Sequence, residues 1–279
     1  MIGSTAYKFS LAATHKTNTM SVDPSQQAKS QEQFSQQSHH YAESLVHSSG
    51  ESLQLIQQWA STTAYVTATD IGTGAGFTAA EIAPFATQVI ATDITSSMLL
   101  ETRLLATKRD ISNLDCLLAA AECLPFADGS VGLVTCRVAA HHFQDLDKAI
   151  EEWYRVLQPE GLLLMADTVS PEDLNLATWM NEIEFRRDPS HVRNLSPSEW
   201  LSKLEHNGLQ VEEAAVTEIP MFFDEWVLRS GTPEGESTKL LQDFQRATPP
   251  AKEEFAILQD DSDRLSFKWT SLVIRAKKK

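Results

Sequence analysis

Asp70-Ile71-Gly72-Thr73-Gly74-Ala75-Gly76 sets three glycines at alternate positions, between an apolar strand-like run and a helix-like one. Glycine lets a chain turn tightly and approach a ligand without a Cβ in the way. The first N–H groups of the helix that follows have no intrahelical partners. Asp93 stands 23 residues beyond Asp70, at the end of the next apolar run. An acid there can accept both hydroxyls of a ribose lying across strand ends. A dinucleotide fingerprint needs a third glycine where this chain has Phe77, and the Asp70 carboxylate beside the loop is unfavourable to a pyrophosphate. It suits a cationic ligand, so the loop favours a cationic nucleoside over a dinucleotide; a purely structural turn is the alternative. The second group able to do chemistry is His141-His142, because an imidazole with a pKa near ~6.5 can take a proton at neutral pH.

These residues must be held by something, and the hydrophobic pattern says what. Apolar runs at 65–71, 88–94, 114–120, 132–138 and 162–167 read as strands, separated by helix-length stretches near 77–86, 95–110 and 145–157. On the last, Leu146, Ala149, Ile150, Trp153, Val156 and Leu157 fall on one stripe. Near-continuous apolar strands covered by helices describe a parallel sheet buried on both faces. Gln158-Pro159-Glu160-Gly161 reads as the turn closing the fourth unit, Pro supplying a fixed φ and Gly a permissive one. In such a sheet the glycine loop, Asp93 and both histidines fall at the C-terminal edge, where open α/β sheets bind ligands.

The flanking segments follow. Leu53, Ile56 and Trp59 mark an early helix; 172–187 and 197–206 read as later ones, the second with Ser196 as N-cap and Pro197 in its first turn. Strands at 210–218 and 266–276 complete a seven-stranded sheet whose last strand runs antiparallel. The aromatic, charged insertion at 219–263 reads as a helical cap. Residues 1–35, rich in Ser, Gln and Thr, read as a flexible tail. Residues 36–279 then form one domain, with cap elements near 36–60, 172–193 and 219–263 over the ligand-binding edge.

Composition narrows the function classes. The chain has 279 residues, 42% of them hydrophobic, enough for one large core. Lys and Arg number 23 against 38 Asp and Glu, a net charge of -15 that argues against a nucleic-acid partner. No apolar run approaches the roughly 18 residues of a bilayer-spanning helix, and no compact apolar block of signal-peptide type opens the chain. A cytoplasmic monomer or homodimer without stable membrane insertion is expected. Cys116, Cys123 and Cys136 form neither a disulfide framework nor a metal quartet; they read as core residues. No C-x-x-C or H-E-x-x-H spacing occurs, so no metal is expected.

With its elements laid out, the chain resembles the class I S-adenosylmethionine-dependent methyltransferases, in the group around the ubiquinone/menaquinone biosynthesis C-methyltransferases. The likeness rests on Asp70–Gly76, on Ala91-Thr92-Asp93-Ile94-Thr95 with Met98-Leu99, and on Ala121-Glu122-Cys123-Leu124-Pro125-Phe126. It continues through Arg137–Phe143 and Tyr154–Gly161, covering residues 65 to about 168 in order. The resemblance implies a Rossmann-like fold with a helical cap, S-adenosyl-L-methionine as cofactor, and methyl transfer to a carbon or oxygen of a small organic acceptor. By the same resemblance Asp70, Gly72, Gly74 and Gly76 line the methionine part, with Arg137 near it. Asp93 holds the ribose, Ile94 and Met98 pack on the adenine, and Ala121 and Glu122 lie beside its edge. The family's Asp before this Ala-Glu pair is Ala120 here, so the adenine amino contact must come from elsewhere. The family's more regular histidine is the one preceding Phe, which favours His142 as the base, with His141 packing or capping. An NAD(P)-dependent oxidoreductase and a noncatalytic S-adenosylmethionine-binding protein are the alternatives.

On the acceptor side, Glu184–Arg193 is the densest positive cluster. Arg186, Arg187, Arg193 and His191 could clamp a carboxylate or phosphate. They could equally form a salt-bridged surface with Glu182, Glu184 and Asp188. Trp226, with Phe222 and Phe223, could roof an apolar acceptor or anchor the insertion. Tyr41 is a candidate to close over the cofactor.

Overall fold

In the computed structural model the backbone is described for residues 24–43 and 49–279, and the side chains for 27–37 and 49–279. The apolar runs become β1 (Tyr65–Ile71), β2 (Ala86–Asp93), β3 (Leu114–Leu118), β4 (Val131–Arg137) and β5 (Leu157–Val169). All five pair in parallel. Two longer strands, β6 (Leu209–Phe222) and β8 (Leu265–Lys278), complete the order β3-β2-β1-β4-β5-β8-β6, with β8 antiparallel to both neighbours. The expected seven strands are all present; β7 (Leu258–Gln259), a two-residue addition on β8, makes an eighth. Strand order reverses between β1 and β4, and a doubly wound sheet opens its crevice at that point.

Both faces of the sheet are covered, as continuous apolar strands require; β4 is buried at every position. On one face α2 (Glu51–Ala60) and α3 (Phe77–Ile82) set Ile56, Trp59, Ala79 and Ile82 against Ala68, Val89, Leu133 and Val273. Helix α2 is therefore a layer of the sheet sandwich, not the cap element expected within 36–60. On the other face α5 (Leu146–Val156) and α7 (Pro197–His206) bury Ile150, Trp153, Trp200 and Leu204 against Val134, Leu163 and Ile274. α4 (Ser96–Lys108) connects β2 to β3. A full capping box fixes the start of α7: Glu199 N–H donates to Ser196 Oγ, and Ser196 N–H to Glu199 Oε2 at 2.9 Å. Such caps contribute about 1 kcal/mol.

The cap has a core of its own. Met180 and Ile183 of α6 (Leu174–Arg187) pack with Phe223 and Trp226 of α8 (Phe223–Ser230). Leu240 and Phe244 of α9 (Glu234–Gln245), Ala251 of α10 (Pro249–Glu254), and Phe267 and Trp269 of β8 complete it. The insertion is thus helical as expected, except that β6 continues through Phe222 before the first helix begins.

Three local expectations are corrected. Residues 24–35, expected in a flexible tail, lie in α1 (Pro24–Glu43), and residues 1–23 are outside the described residues. Gln158–Gly161 is no closing turn but a bulge within β5, where the register with β4 jumps from Val131↔Leu157 to Leu133↔Leu162. Glu160, not Gly161, carries the left-handed φ of 61° there. Gly161 is needed for space, since a Cβ would sit 2.7 Å from the Gln158 carbonyl oxygen. Cys136 is buried in β4, but Cys116 is half-buried and Cys123 exposed, so the latter two are not core residues.

Candidate functional site

A cavity opens at the C-terminal edge of the sheet. The β1 loop lines it with Gly72, Thr73 and Gly74, the ends of β2 and β3 with Asp93, Ile94, Ala121 and Glu122, the first turn of α4 with Met98, and the end of β4 with Arg137. His141 and His142 follow, and Trp226, Trp269, Ile219 and Met221 close the cap side. Gln27, Ser30 and Phe34 of α1 lie across it.

The glycine loop is left-handed at all three glycines, φ 64° at Gly72, 54° at Gly74 and 87° at Gly76, a region that costs other residues dearly. A Cβ on Gly72 would meet Ala139 Cβ at 2.7 Å and one on Gly76 would meet Thr102 Cγ2 at 2.6 Å, whereas nothing lies within 4 Å of one on Gly74. Gly74 is the glycine facing open space. Its N–H donates to Asp93 Oδ2 at 2.9 Å, and Thr95 N–H donates to Oδ1 at 2.8 Å. The carboxylate is thus aimed, and each oxygen can accept a further bond.

Asp70 sits beneath the loop instead of beside the ligand. Its two oxygens accept from Thr73 Oγ1 and Thr135 Oγ1, each at 2.6 Å, and it does not line the cavity. Burial pushes its carboxyl up to about 6, against the opposing pull of those hydroxyls and of Arg137. Gly76 likewise serves the packing of the loop on Thr102 and is not a lining residue. Thr73 takes Asp70's expected place on the wall. Arg137 is on the wall, its pKa lowered to about 10 by burial, with Asp70 opposing. Beside Ala120, Ala119 and Ala121 line the cavity while Ala120 does not. A concave backbone without a Cβ at Gly74, an oriented Asp93 and the apolar Ile94 and Met98 fit a nucleoside.

Both histidines line the cavity, where only one was expected to. They occupy a 3₁₀ turn, Ala140–His142, in which consecutive side chains are about 120° apart at three residues per turn. The turn is entered through Val138, whose φ of 52° is rare for a β-branched residue; its N–H is held by the Ala166 carbonyl at 2.8 Å. The ring centroids are 4.2 Å apart, yet their partners differ. His141 Nδ1 lies 2.5 Å from Asp167 Oδ1. His142 Nδ1 lies 3.1 Å from Ser190 Oγ, which donates onward to Asp188 Oδ1 at 2.6 Å. Because the serine gives its hydrogen to Asp188, this network assigns the proton to Nδ1 of His142 and leaves Nε2 as the acceptor. Burial works against charge on His141, but Asp167 outweighs it and raises the pKa. On His142 burial and the neighbouring His141 act together and lower it to about 4. Phe34 stands edge-on to His142 at 4.9 Å.

The expected acceptor residues separate. Trp226 lines the cavity. Arg186 does not: it bridges α6 to α9, pairing with Glu236 at 2.7 Å and Asp243 at 2.6 Å. His191 lies behind the wall, its Nε2 3.0 Å from Asn181 Oδ1, its pKa lowered by burial and by His141. Arg193 is exposed and paired with Glu199. The Tyr41 side chain is outside the described residues. No local sequence signal marks Phe34, Glu184, Arg229 or Trp269 as wall residues, since they come from distant segments. Arg187 was within the flagged cluster, and helix phase separates it from Arg186: it is the buried position of the two.

Comparisons with known proteins identify the family. A family model described as a methyltransferase domain matches residues 69–165. The uncharacterized methyltransferase YcgJ of Bacillus subtilis (strain 168) is 34% identical over 88% of this chain and 98% of its own length. Its crystal structure superposes with a TM-score of 0.78 over 82% of this chain and 98% of that one. A Bacillus halodurans C-125 protein does so with a TM-score of 0.79 and 30% identity, over 82% and 99% of the two chains. The ubiquinone/menaquinone biosynthesis C-methyltransferase of Pseudoalteromonas translucida (strain TAC 125) is 33% identical, but over only 51% of this chain and 53% of its own. The likeness to the quinone enzymes is therefore the more distant one.

Proposed function

This chain belongs to the class I S-adenosylmethionine-dependent methyltransferases, in the group of YcgJ, and from that premise we propose that it methylates an acidic carbon or a hydroxyl of a small organic acceptor, with His142 taking the proton. The oxidoreductase and noncatalytic alternatives lapse with that membership. The observation that carries the residue roles is the continuity of one cavity from Gly74 and Asp93, past His141 and His142, to Trp226.

Bound S-adenosylmethionine supplies an electrophilic methyl carbon. Asp93 would receive the ribose hydroxyls, Gly72 and Gly74 would give the backbone room beside the methionine part, and Ile94 and Met98 would pack on the adenine with Ala121 and Glu122 beside its edge. Arg137 lies toward the methionine carboxylate. Asp70 and Gly76 support this arrangement from below, through Thr73, Thr135 and Thr102. The two histidines divide the proton work because their surroundings push their pKa values apart. His141, its pKa raised by Asp167, stabilises negative charge developing on the acceptor. His142, neutral and with Nδ1 turned to Ser190, receives the departing proton, and the Ser190–Asp188 pair holds its ring. Phe34 and Trp226 exclude water from the transfer. The enzyme is further proposed to work in the cytoplasm as a monomer or homodimer without nucleic acid, in keeping with a net charge of -15. Among the described residues no helix is long and apolar enough to cross a membrane.

Calorimetric titration with S-adenosylmethionine, S-adenosylhomocysteine and NAD tests the cofactor. Methyl transfer from labelled cofactor across a panel of phenols, enolisable ketones and organic acids tests the reaction. Affinity for both sulfur compounds is expected; binding of NAD alone would overturn the reading.

A further inference from the structure

Asn194, on the link between α6 and α7, lines the cavity and takes no part in the proton transfer or the cofactor contacts. It is 1% exposed, and among the described residues its side-chain Oδ1 has no hydrogen-bond partner. Its main chain, in contrast, is engaged in both directions. Asn194 N–H donates to Asn181 Oδ1 at 2.7 Å, and the Asn194 carbonyl accepts from Asn181 Nδ2 at 3.2 Å. Asn181 is held in its turn: its Nδ2 also donates to the Ala177 carbonyl at 3.0 Å, and His191 Nε2 lies 3.0 Å from its Oδ1. Just before Asn194, the N–H groups of Val192 and Arg193 donate to the His141 carbonyl at 2.8 and 3.2 Å. Just after it, the Leu195 carbonyl accepts from Ser170 N–H at 3.0 Å. The link is thus tied to the histidine turn, to the end of β5 and to α6, so the wall at Asn194 is continuous with the wall at His141.

Protein interiors pair nearly all of their polar groups, because a buried oxygen without a partner carries its full desolvation cost. An amide oxygen left over on a cavity wall, on a main chain that cannot turn it elsewhere, is a recognition group in search of a donor. We propose that Asn194 is a specificity-determining residue of the acceptor pocket: its Oδ1 accepts a hydrogen bond from a hydroxyl or N–H that the acceptor carries beside its reacting atom. The acceptor is then a small organic molecule with two polar positions, one that gives its proton to His142 and one that pairs with Asn194. A 1,2-diphenol and an enolised hydroxyketone both have that pattern. This rests on the methyltransferase reading and narrows the class of its acceptor. A pocket built around a hydrogen-bonding group rejects an analogue that lacks the partner, since the buried group is then left unpaired. Acceptors with a single polar position are discriminated against for that reason.

The test uses matched probes, 2,3-dihydroxynaphthalene and its monomethyl ether 3-methoxy-2-naphthol, titrated calorimetrically into full-length protein saturated with S-adenosylhomocysteine. Both probes carry a hydroxyl for His142, and only the first carries a second donor. The saturating titration itself separates the two inferences: no affinity for S-adenosylhomocysteine defeats the methyltransferase reading, and only protein that binds it tests Asn194. The diol is expected to bind about 5–30-fold more tightly than the ether, the range for pairing or stranding one buried polar group. Asn194→Leu should cut that preference to less than about twofold by weakening the diol, with ether and S-adenosylhomocysteine affinities within about twofold of the wild type. Because Oδ1 bonds nothing among the described residues, N194L should also keep or raise the unfolding midpoint. N194A carries the test if the leucine variant fails to fold. Equal affinity for the two probes in the wild type, no binding of either, or a preference that survives both substitutions would overturn the assignment. A preference due only to the bulk of the methoxy group would show itself in that last way.

Discussion

His141 and Asp167 are joined twice: one carboxylate oxygen accepts the His141 backbone N–H at 2.9 Å and the other faces its ring Nδ1 at 2.5 Å. One residue on, His142 Nδ1 faces the Ser190 hydroxyl, which donates to Asp188. The pKa values of adjacent imidazoles are thereby pushed apart, raised at His141 and lowered at His142. Asp167→Asn should reverse this, lowering the His141 pKa and letting that of His142 rise from about 4. Histidine ring NMR against pH reads both. The lost pair should cost about 3–5 kcal/mol of stability, the range for breaking a buried ion pair. Since the folded pKa of His141 is raised, its contribution to stability is full below the unfolded value near ~6.5 and disappears as pH climbs through the folded pKa. The wild type should therefore lose stability on the alkaline side, and D167N should not.

His142→Gln should lower turnover by about 10²–10⁴-fold with S-adenosylhomocysteine affinity nearly unchanged. Because burial and His141 lower the His142 pKa to about 4, the base is neutral throughout the neutral range. The wild-type rate should stay level with respect to this group from pH 8 to about 5 and fall below that as the ring is protonated. A loss of activity centred near pH 6.5 would assign the base elsewhere. The same depressed pKa makes neutral His142 a source of stability above ~6.5 that is lost as pH falls toward 4.

Asp93→Ala should weaken the cofactor by about 1.5–3 kcal/mol, the scale of hydrogen bonds to a charged acceptor. Equal S-adenosylmethionine affinity in folded D93A protein, measured by calorimetry, would exclude the aspartate from the ribose contact.

The glycines should part company. Gly76→Ala puts a Cβ 2.6 Å from Thr102 Cγ2 at a φ of 87°, so it should cost about 2–4 kcal/mol of stability. Gly74→Val meets nothing protein-made within 4 Å of its Cβ. It should cost only the ~1–2 kcal/mol of its left-handed backbone while abolishing cofactor binding by filling the open side. Thermal unfolding and calorimetry on the two variants separate these outcomes.

Arg186→Ala should change acceptor affinity less than twofold, since its partners Glu236 and Asp243 lie outside the cavity. Its partly exposed pairs should contribute about 0.5–1 kcal/mol to the docking of α9, read as a small drop in the unfolding midpoint.

The sheet and the glycine loop were readable in the sequence for a physical reason. Strands buried on both faces are written as unbroken apolar runs such as 132–138, and a loop needing three left-handed residues writes itself as Gly72, Gly74 and Gly76. What failed were matters of direction. Asp70 has the right type and position, but its carboxylate turns under the loop toward Thr73 and Thr135. The charge run at 184–193 names a cluster, while helix phase decides that Arg187 turns inward and Arg186 outward. Two consecutive histidines could share a wall only because a 3₁₀ turn follows the strained Val138. The capping box at Ser196-Pro197-Ser198-Glu199 was legible to the residue, since both of its bonds are local. Phe34, Trp226 and Trp269 are brought together over more than two hundred residues, and no local signal encodes that meeting.

Trp226 and Trp269 belong both to the cavity wall and to the aromatic core that joins α6, α8, α9 and β8. On the proposed reading, acceptor recognition and the cohesion of the cap are therefore one equilibrium, and any occupant that braces those two indoles draws stability from the cap and returns it. A shortened side chain at Phe255 or Leu240, neither of which lines the cavity, would loosen the wall from behind and appear in kinetics as a poorer apparent affinity for acceptor, with the nucleoside side untouched. Variation in the concealed aromatic layer is thus a route by which relatives of this chain can change what they accept while every residue facing the reaction stays the same.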